Sequence, residues 1–425
     1  MLSCIYHVHN YLAAICNTAW FVQKYSAGNG GKPGREGKGG IVRGWKLRCF
    51  AASAASLITI LLVADVGLAS TTALSAEAEA TAPYLVDVSW PQALPDKWLI
   101  GNVGGVSVDR HGHIWVFQRP GTLRPVDIQA GNNPPSAKCC VAAPPVLEFD
   151  GEGKLLRSWG GPNHVPDWFD SEHGIFVDDE DNVWLLGAGA HDGQVLKFTM
   201  DGKLLLRIGR KGEFGAADDP AMLGMPTDMV VDTRRRELFV SDGYRNHRVI
   251  VFDADTGAFK RQWTAFGKKV DPAYFTERDD PDFSAQKDDG ERFTTVHCVT
   301  EIGGEIYVCD RGNDRIQVFS PEGRYIREIR YNVNMADTIG SAWDAAPVPG
   351  HPDRIIVLDG INSEFAVLDT KSGRVISSYL AKGRYAGQMH WPHQLAVDQQ
   401  GRLYVAEVGG AQRIQRFVPR ADRGE

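Results

Sequence analysis

No basic stripe with interleaved aromatics runs anywhere through this sequence, and its formal net charge is −7. Residues 1–78 hold seven Lys/Arg (Lys24, Lys32, Arg35, Lys38, Arg43, Lys46, Arg48) against three acids (Glu36, Asp65, Glu77), a local +4 that leaves about −11 for the remainder. A folded part this acidic excludes a phosphate backbone as partner, so no nucleic acid is expected. Methionine is missing between Met1 and Met200. Long apolar runs are missing as well. Residues 49–64 (CFAASAASLITILLVA) reach only about 16 residues, broken by Ser and Thr and followed by Asp65. Cysteine is sparse, at seven of 425 residues, and three of these (Cys4, Cys16, Cys49) lie near the N-terminus.

That N-terminal region reads as processing sequence. Arg43, Lys46 and Arg48 precede the apolar run, and small residues follow it (ASTTALSAEAEA). The order predicts a signal peptide over 42–78, cleaved after Ala69 or Ala78, and hence a periplasmic or secreted protein. The alternative is an uncleaved anchor, the one route by which this chain would meet a membrane. Residues 1–41, with their Gly/Lys-rich centre SAGNGGKPGREGKGG, are expected to be a non-structured or mis-assigned extension, with translation starting at a codon such as that for Val42. Export permits disulfides among the four remaining cysteines, Cys139, Cys140, Cys298 and Cys309.

What the chain does have is an internal repeat. The segments EHGIFVDDEDNVWLL (172–186), PTDMVVDTRRRELFVSD (226–242), VHCVTEIGGEIYVCD (296–310) and PHQLAVDQQGRLYVAE (392–407) align, with poorer copies at 103–117 and 342–359. Each has an apolar strand, a turn rich in Asp, Gly and Asn, and a second strand. A third such as RVIVFD or RIQVFS follows, and often a fourth such as KLLLRIG. Four alternating strands per unit at this spacing predict the blades of an all-β, six-bladed β-propeller over 84–420. The last copy lacks a fourth strand, so YLVDVSW (84–90) is expected to complete it and close the ring. An open β-solenoid or a pair of sandwiches fits the four-strand units and irregular insertions less well. Two insertions, 119–145 and 265–292, are placed between repeats as candidate lids; the charge of the second also reads as disorder.

One position of the repeat is occupied in turn by Gly104, His173, Thr227, His297, Trp343 and His393. Histidines fill alternate repeats. In a closed ring of six they converge on the axis from directions about 120° apart, which suits a three-His metal site with an open coordination position. His111, His113, His164, His191, His247, His351 and His390 share no such phase and read as surface or loop residues. A second in-register set follows each second strand: Arg119, Gly243 and Arg311, with Tyr244 one place later. Arginine forks suit a carboxylate, and a tyrosine between cations can serve as a base. The blander reading makes both arginines rim salt-bridge partners. A hairpin turning at Gly303-Gly304 would set Cys298 opposite Cys309, where a cross-strand bridge is expected. A bridge between the adjacent Cys139 and Cys140 would be strained, so a buried pair or half of another bridge remains open.

The repeats resemble NHL repeats (PHxLxVD…GxLYVxD…NxRIQxF). EHG at 172, SDGY at 241, DRxNxRIQ from 310 and WPH at 391 are similar to peptidyl-α-hydroxyglycine α-amidating lyase over about 98–420. The resemblance implies zinc on His173, His297 and His393, Tyr244 as catalytic base, and Arg119 and Arg311 on a substrate carboxylate. The reaction implied takes R–CO–NH–CH(OH)–COO⁻ to an amide plus glyoxylate, with a small or peptide-derived α-hydroxy acid as substrate. It also implies a structural calcium at the positions of Val103, Ile175 and Gln394. The family has Asp where this chain has Gln394, Met where it has Trp391, and Cys where it has Arg245, and no monooxygenase half is present. Two other readings compete. One is a non-catalytic NHL propeller binding a protein or glycan. The other is a calcium-dependent lactonase-type propeller, whose channel needs Glu, Asn and Asp that the histidine positions do not supply.

Overall fold

The structure, a computed structural model, describes residues 83–276, 290–333 and 339–420, all within the unit Ser75–Glu425. The expected extension (1–41) and signal peptide or anchor (42–78) lie outside the described residues. Among the described residues no helix is long and apolar enough to cross a membrane.

Six four-stranded antiparallel sheets form the predicted propeller. Blade 1 runs Asn102–Val108, Ile114–Arg119, Val146–Phe149, Leu155–Trp159, and blade 2 Glu172–Val177, Asn182–Gly187, Gln194–Thr199, Leu204–Gly209. Blade 3 is Asp228–Asp232, Glu237–Asp242, Arg248–Asp253, Phe259–Trp263, and blade 4 Val296–Ile302, Glu305–Asp310, Arg315–Phe319, Tyr325–Arg330. Blade 5 is Asp344–Val348, His351–Asp359, Glu364–Asp369, Val375–Leu380. Blade 6 has Pro392–Val397, Leu403–Glu407 and Arg413–Pro419, and takes its outer strand from Tyr84–Asp87, which pairs antiparallel from Tyr84↔Pro419 to Asp87↔Arg416. The expected closure by the N-terminal strand is therefore present.

The repeated Asp and aromatic of each copy explain why the first hairpins form. In blade 1 the turn aspartate Asp109 accepts the backbone N–H groups of His111 and His113, each at 2.9 Å, while its other oxygen accepts the buried Trp115 indole N–H at 3.0 Å. Asp178 does the same for Trp184 and Asp398 for Tyr404. An Asx turn and a satisfied core aromatic thus come from one carboxylate. The core lies between blades. Trp184, Leu186 and Ile208 of blade 2 cluster with Met229, Leu238 and Phe252 of blade 3, all buried. Burying each such side chain stabilises by roughly 1.5–3 kcal/mol, which explains why no blade stands alone.

Two expectations change. The insertion 119–145 lies inside blade 1, between its second and third strands, and not between repeats. The second insertion does connect blades 3 and 4, but its residues 277–289 lie outside the described ones. Cys298 and Cys309 are direct cross-strand partners joined by a disulfide. Cys139 and Cys140 are joined to each other, and Cys139 is exposed, so they are not a buried pair.

Closure by Tyr84–Asp87 is testable. Tyr84 is buried with its ring edge-on to Phe365 at 5.3 Å. Tyr84→Ala is expected to cost about 3 kcal/mol in urea unfolding; an unchanged midpoint would show that the ring does not depend on this strand.

Candidate metal centre

Each histidine of the repeat sits on a β-bulge. The ladder of blade 2 skips from Glu172 to Gly174, that of blade 4 from Val296 to Cys298, and that of blade 6 from Pro392 to Gln394. A bulge re-aims one side chain out of the pleat, and here it turns His173, His297 and His393 toward a common point. All three are buried. Their ring centroids are 4.5–5.3 Å apart, and one nitrogen from each lies within 4.8 Å of the others.

The intervening repeats complete the arrangement. His173 Nδ1 contacts the carbonyl of Thr227 at 2.7 Å, His297 Nδ1 that of Trp343 at 2.6 Å, and His393 Nδ1 that of Gly104 at 2.7 Å. A carbonyl only accepts, so each Nδ1 carries the proton and each Nε2 presents a lone pair to the centre. Thr227, Trp343 and Gly104 occupy the histidine position of blades 3, 5 and 1. The six equivalent residues therefore alternate between ligand and backbone acceptor. Burial is the main cause that pushes all three imidazoles below their ordinary pKa, His393 to about 3. Neighbouring arginines add to it, Arg311 at His297 and Arg119 at His393. Neutral imidazoles with fixed tautomers are a donor set that fits a tetrahedral metal ion.

Tyr244 and the arginines sit on the same rim. The Tyr244 hydroxyl lies 3.2 Å from His173 Nε2 and 3.1 Å from His297 Nε2. The loop bearing Tyr244 comes this close because Gly243 precedes it: a Cβ there would stand 1.7 Å from the Val296 carbonyl oxygen. The Arg311 guanidinium lies 4.5 Å from the Trp343 ring centre and 5.6 Å from that of Tyr244. It is only 4% exposed, and its Nε has no hydrogen-bond partner. Arg119 Nε donates to the Glu172 carbonyl at 2.5 Å. Among the described residues no carboxylate forms a salt bridge with either arginine. A buried cation without an anion is costly to maintain unless a ligand supplies the charge.

Below the histidines the channel widens into a cavity of about 320 Å³ whose lining includes Val106, Ile175, Asp228, Asp344 and Gln394. Val103 is not part of it; it packs in the core around Trp90 and Ile114. Gln394 is neutral where the resemblance implies a carboxylate. Asp228 and Asp344 are residues the sequence reading missed. Asp228 accepts the Val299 N–H at 3.1 Å and Asp344 the Leu395 N–H at 2.7 Å. Burial pushes Asp228 up to about 7 and, with the Asp228 charge added, raises Asp344 well above the carboxylate range. Both follow the histidine position directly, so the repeat phase read one residue further would have found them.

Two off-phase histidines, His247 and His113, lie in loops as expected. His247 is buried, bonded to Thr276 at 2.9 Å, and pushed by burial down to about 4. It belongs to the loop braced by the buried Asp242–Arg248 pair, which explains why it is not on the surface. His113 approaches Glu148 and Asp109 in a second cluster of metal-ligating groups, but Trp115 and Arg157 already occupy those carboxylates.

No family model matches the chain. It is 27% identical to NHL repeat-containing protein 3 of Mus musculus over 356 residues, covering 79% of this chain and 84% of that one. The chain is similar to two kinds of protein. It is also 26% identical to peptidyl-alpha-hydroxyglycine alpha-amidating lyase 1 of Drosophila melanogaster, covering 80% of this chain and 60% of that one. A probable lyase of the same description from Caenorhabditis elegans is 27% identical, with 73% and 80% covered. A solved structure titled "Streptogramin B lyase structure" matches with a TM-score of 0.45 at 12% identity, covering 79% of this chain and 98% of that one.

The histidines make stability pH-dependent in a defined direction. Their folded pKa values lie below the unfolded value of about 6.5, so unfolding takes up protons as pH falls through that value, and the folded state loses stability. Asp228 and Asp344 act oppositely, since their raised values favour the folded state at lower pH. Comparing metal-free protein with His393→Asn isolates one imidazole. The stability difference between the two is expected to change by about 1.4 kcal/mol per pH unit between pH 6 and 4; a difference that does not vary with pH would show that His393 is charged in the fold.

Proposed function

We propose that this protein is an exported, zinc-dependent carbon–nitrogen lyase of the amidating type, cleaving a carbinolamide acid to an amide and glyoxylate. The observation that carries the reading is the buried Arg311, without a carboxylate partner among the described residues, beside three neutral histidines and a tyrosine hydroxyl. That combination calls for a ligand with a carboxylate next to an oxygen able to meet a metal.

His173, His297 and His393 would hold zinc, which when bound supplies a Lewis acid beside the substrate's α-hydroxyl. Arg311 and Arg119 take the carboxylate in an ion pair, setting the α-carbon beneath Tyr244. The stacking of Arg311 on Trp343 limits its rotation, so little order is lost on binding. Tyr244 acts as the base that removes the hydroxyl proton. As the C=O bond forms the C–N bond breaks, and the departing amide nitrogen takes the proton back from Tyr244. The products are R–CO–NH₂ and glyoxylate, with atoms and charge conserved. The similarity to amidating lyases over most of the chain supports this chemistry.

A second reading, a non-catalytic propeller that binds a partner, is favoured by the comparably broad match to NHL repeat-containing protein 3. Metal analysis separates the two. The lyase reading expects one zinc per chain, lost on His297→Ala, and glyoxylate released from α-hydroxyhippurate. Tyr244→Phe should lower kcat by about 10²–10⁴-fold with little change in KM, whereas Arg311→Met should chiefly raise KM. Purified protein without stoichiometric zinc and without glyoxylate release would leave the binding reading standing.

A further inference from the structure

We propose that Trp391, backed by Trp343, forms an aromatic wall that selects substrates carrying a flat, aromatic acyl group on the amide side of the scissile bond. The inference rests on the lyase reading and names the substrate class of that same site.

The pocket is divided by blade. Charged and proton-transferring groups come from blades 1, 3 and 4, as Arg119, Tyr244 and Arg311. From the blade 5 side comes Trp343, whose ring centre lies 5.5 Å from that of His297 and 6.0 Å from that of His393. Trp391 directly precedes Pro392 and His393, and its ring meets Trp343 edge-on at 5.8 Å. The loops after the second strands of blades 5 and 6 carry glycine near the positions where blades 1 and 4 carry arginine. A Cβ on Gly360 would stand 2.5 Å from Trp343 Cδ2, and one on Gly409 would stand 2.8 Å from Trp391 Cγ. The glycines of these two blades make room for the indoles.

Both indoles are held in place. Trp343 Nε1 donates to the Gly340 carbonyl at 2.8 Å, and the Trp391 carbonyl accepts from Val408 N–H at 3.0 Å. Arg311 covers one face of Trp343, which is itself buried. Trp391 is only partly buried, and of the two indoles it is the one with surface left for a ligand. With the carboxylate on the arginines and the hydroxyl at the histidines, the acyl group is the part of the substrate left to meet this wall. A planar ring gains stacking and burial there. A charged or strongly polar acyl group would lose hydration without compensation.

The test separates recognition from turnover. Hippurate and N-acetylglycine both keep the carboxylate and amide but lack the α-hydroxyl, so neither can react. Tryptophan fluorescence titration of the purified metal-bound protein should show hippurate binding about tenfold or more tighter than N-acetylglycine. Trp391→Ala should bring the two within about twofold, and Trp391→Phe should keep most of the preference, with zinc content and thermal midpoint verifying both folds. Equal affinities in the parent protein, no binding of either ligand, or a preference that survives Trp391→Ala would overturn the proposal. Failure of the lyase reading has a separate signature: α-hydroxyhippurate binds with the same aromatic preference and releases no glyoxylate.

Discussion

The centre of this molecule depends on a hydrogen bond repeated three times between neighbouring blades. Each of the three histidines is held by the backbone carbonyl of the next blade at the equivalent repeat position. The bond sets the tautomer and the ring plane, and it works only if ligand and acceptor alternate around the ring. A closed ring with an odd number of blades would break the alternation at its seam. In this chain the seam is spanned twice, by His393 reaching Gly104 and by the first strand completing the sixth blade. Ring closure and formation of the centre are thus one event.

The rim groups are positioned by a different device. The loop bearing Tyr244 is framed by Asp242 and Arg248, paired at 2.9 Å with both side chains fully buried. The loop bearing Arg311 is framed in the same way by Asp310 and Arg315, paired at 2.7 Å. Asp310 also accepts the Thr294 N–H and the Asn313 side-chain amide, so its lone pairs are used as a buried carboxylate requires. These pairs tie the ends of short loops to the stiffest strands. Arg311 can then stay buried while the backbone beneath it is held.

Charge is segregated along the channel axis. Cations gather above the histidines at Arg119 and Arg311, and carboxylates gather below at Asp228 and Asp344. Burial keeps the imidazoles neutral, so the positive field above them comes from the arginines and from any bound metal. An anion approaching from the rim meets attraction first and the lower carboxylates only beyond the histidines. The field therefore reinforces the direction in which the pocket is open.

Much of this was legible from residue order. Period, strand count and blade number follow from hydrophobic alternation and turn residues, because a blade is a local object whose pattern survives in one dimension. The convergence of His173, His297 and His393 was legible because a closed repeat turns sequence phase into angular position. The same logic brought Arg119, Tyr244 and Arg311 to one rim. Other features depended on packing across blades. The placement of 119–145 inside blade 1 and the burial of His247 each depend on depth within a blade, which repeat phase does not encode. The Asp228–Asp344 pair and the carbonyl acceptors under the histidines arise only where separate blades face one axis. The sequence alone determined which residues share a position in the repeat; the tertiary structure decided which of them lose water and meet one another. That loss of water is what makes the histidines neutral and packs the Arg311 guanidinium against Trp343.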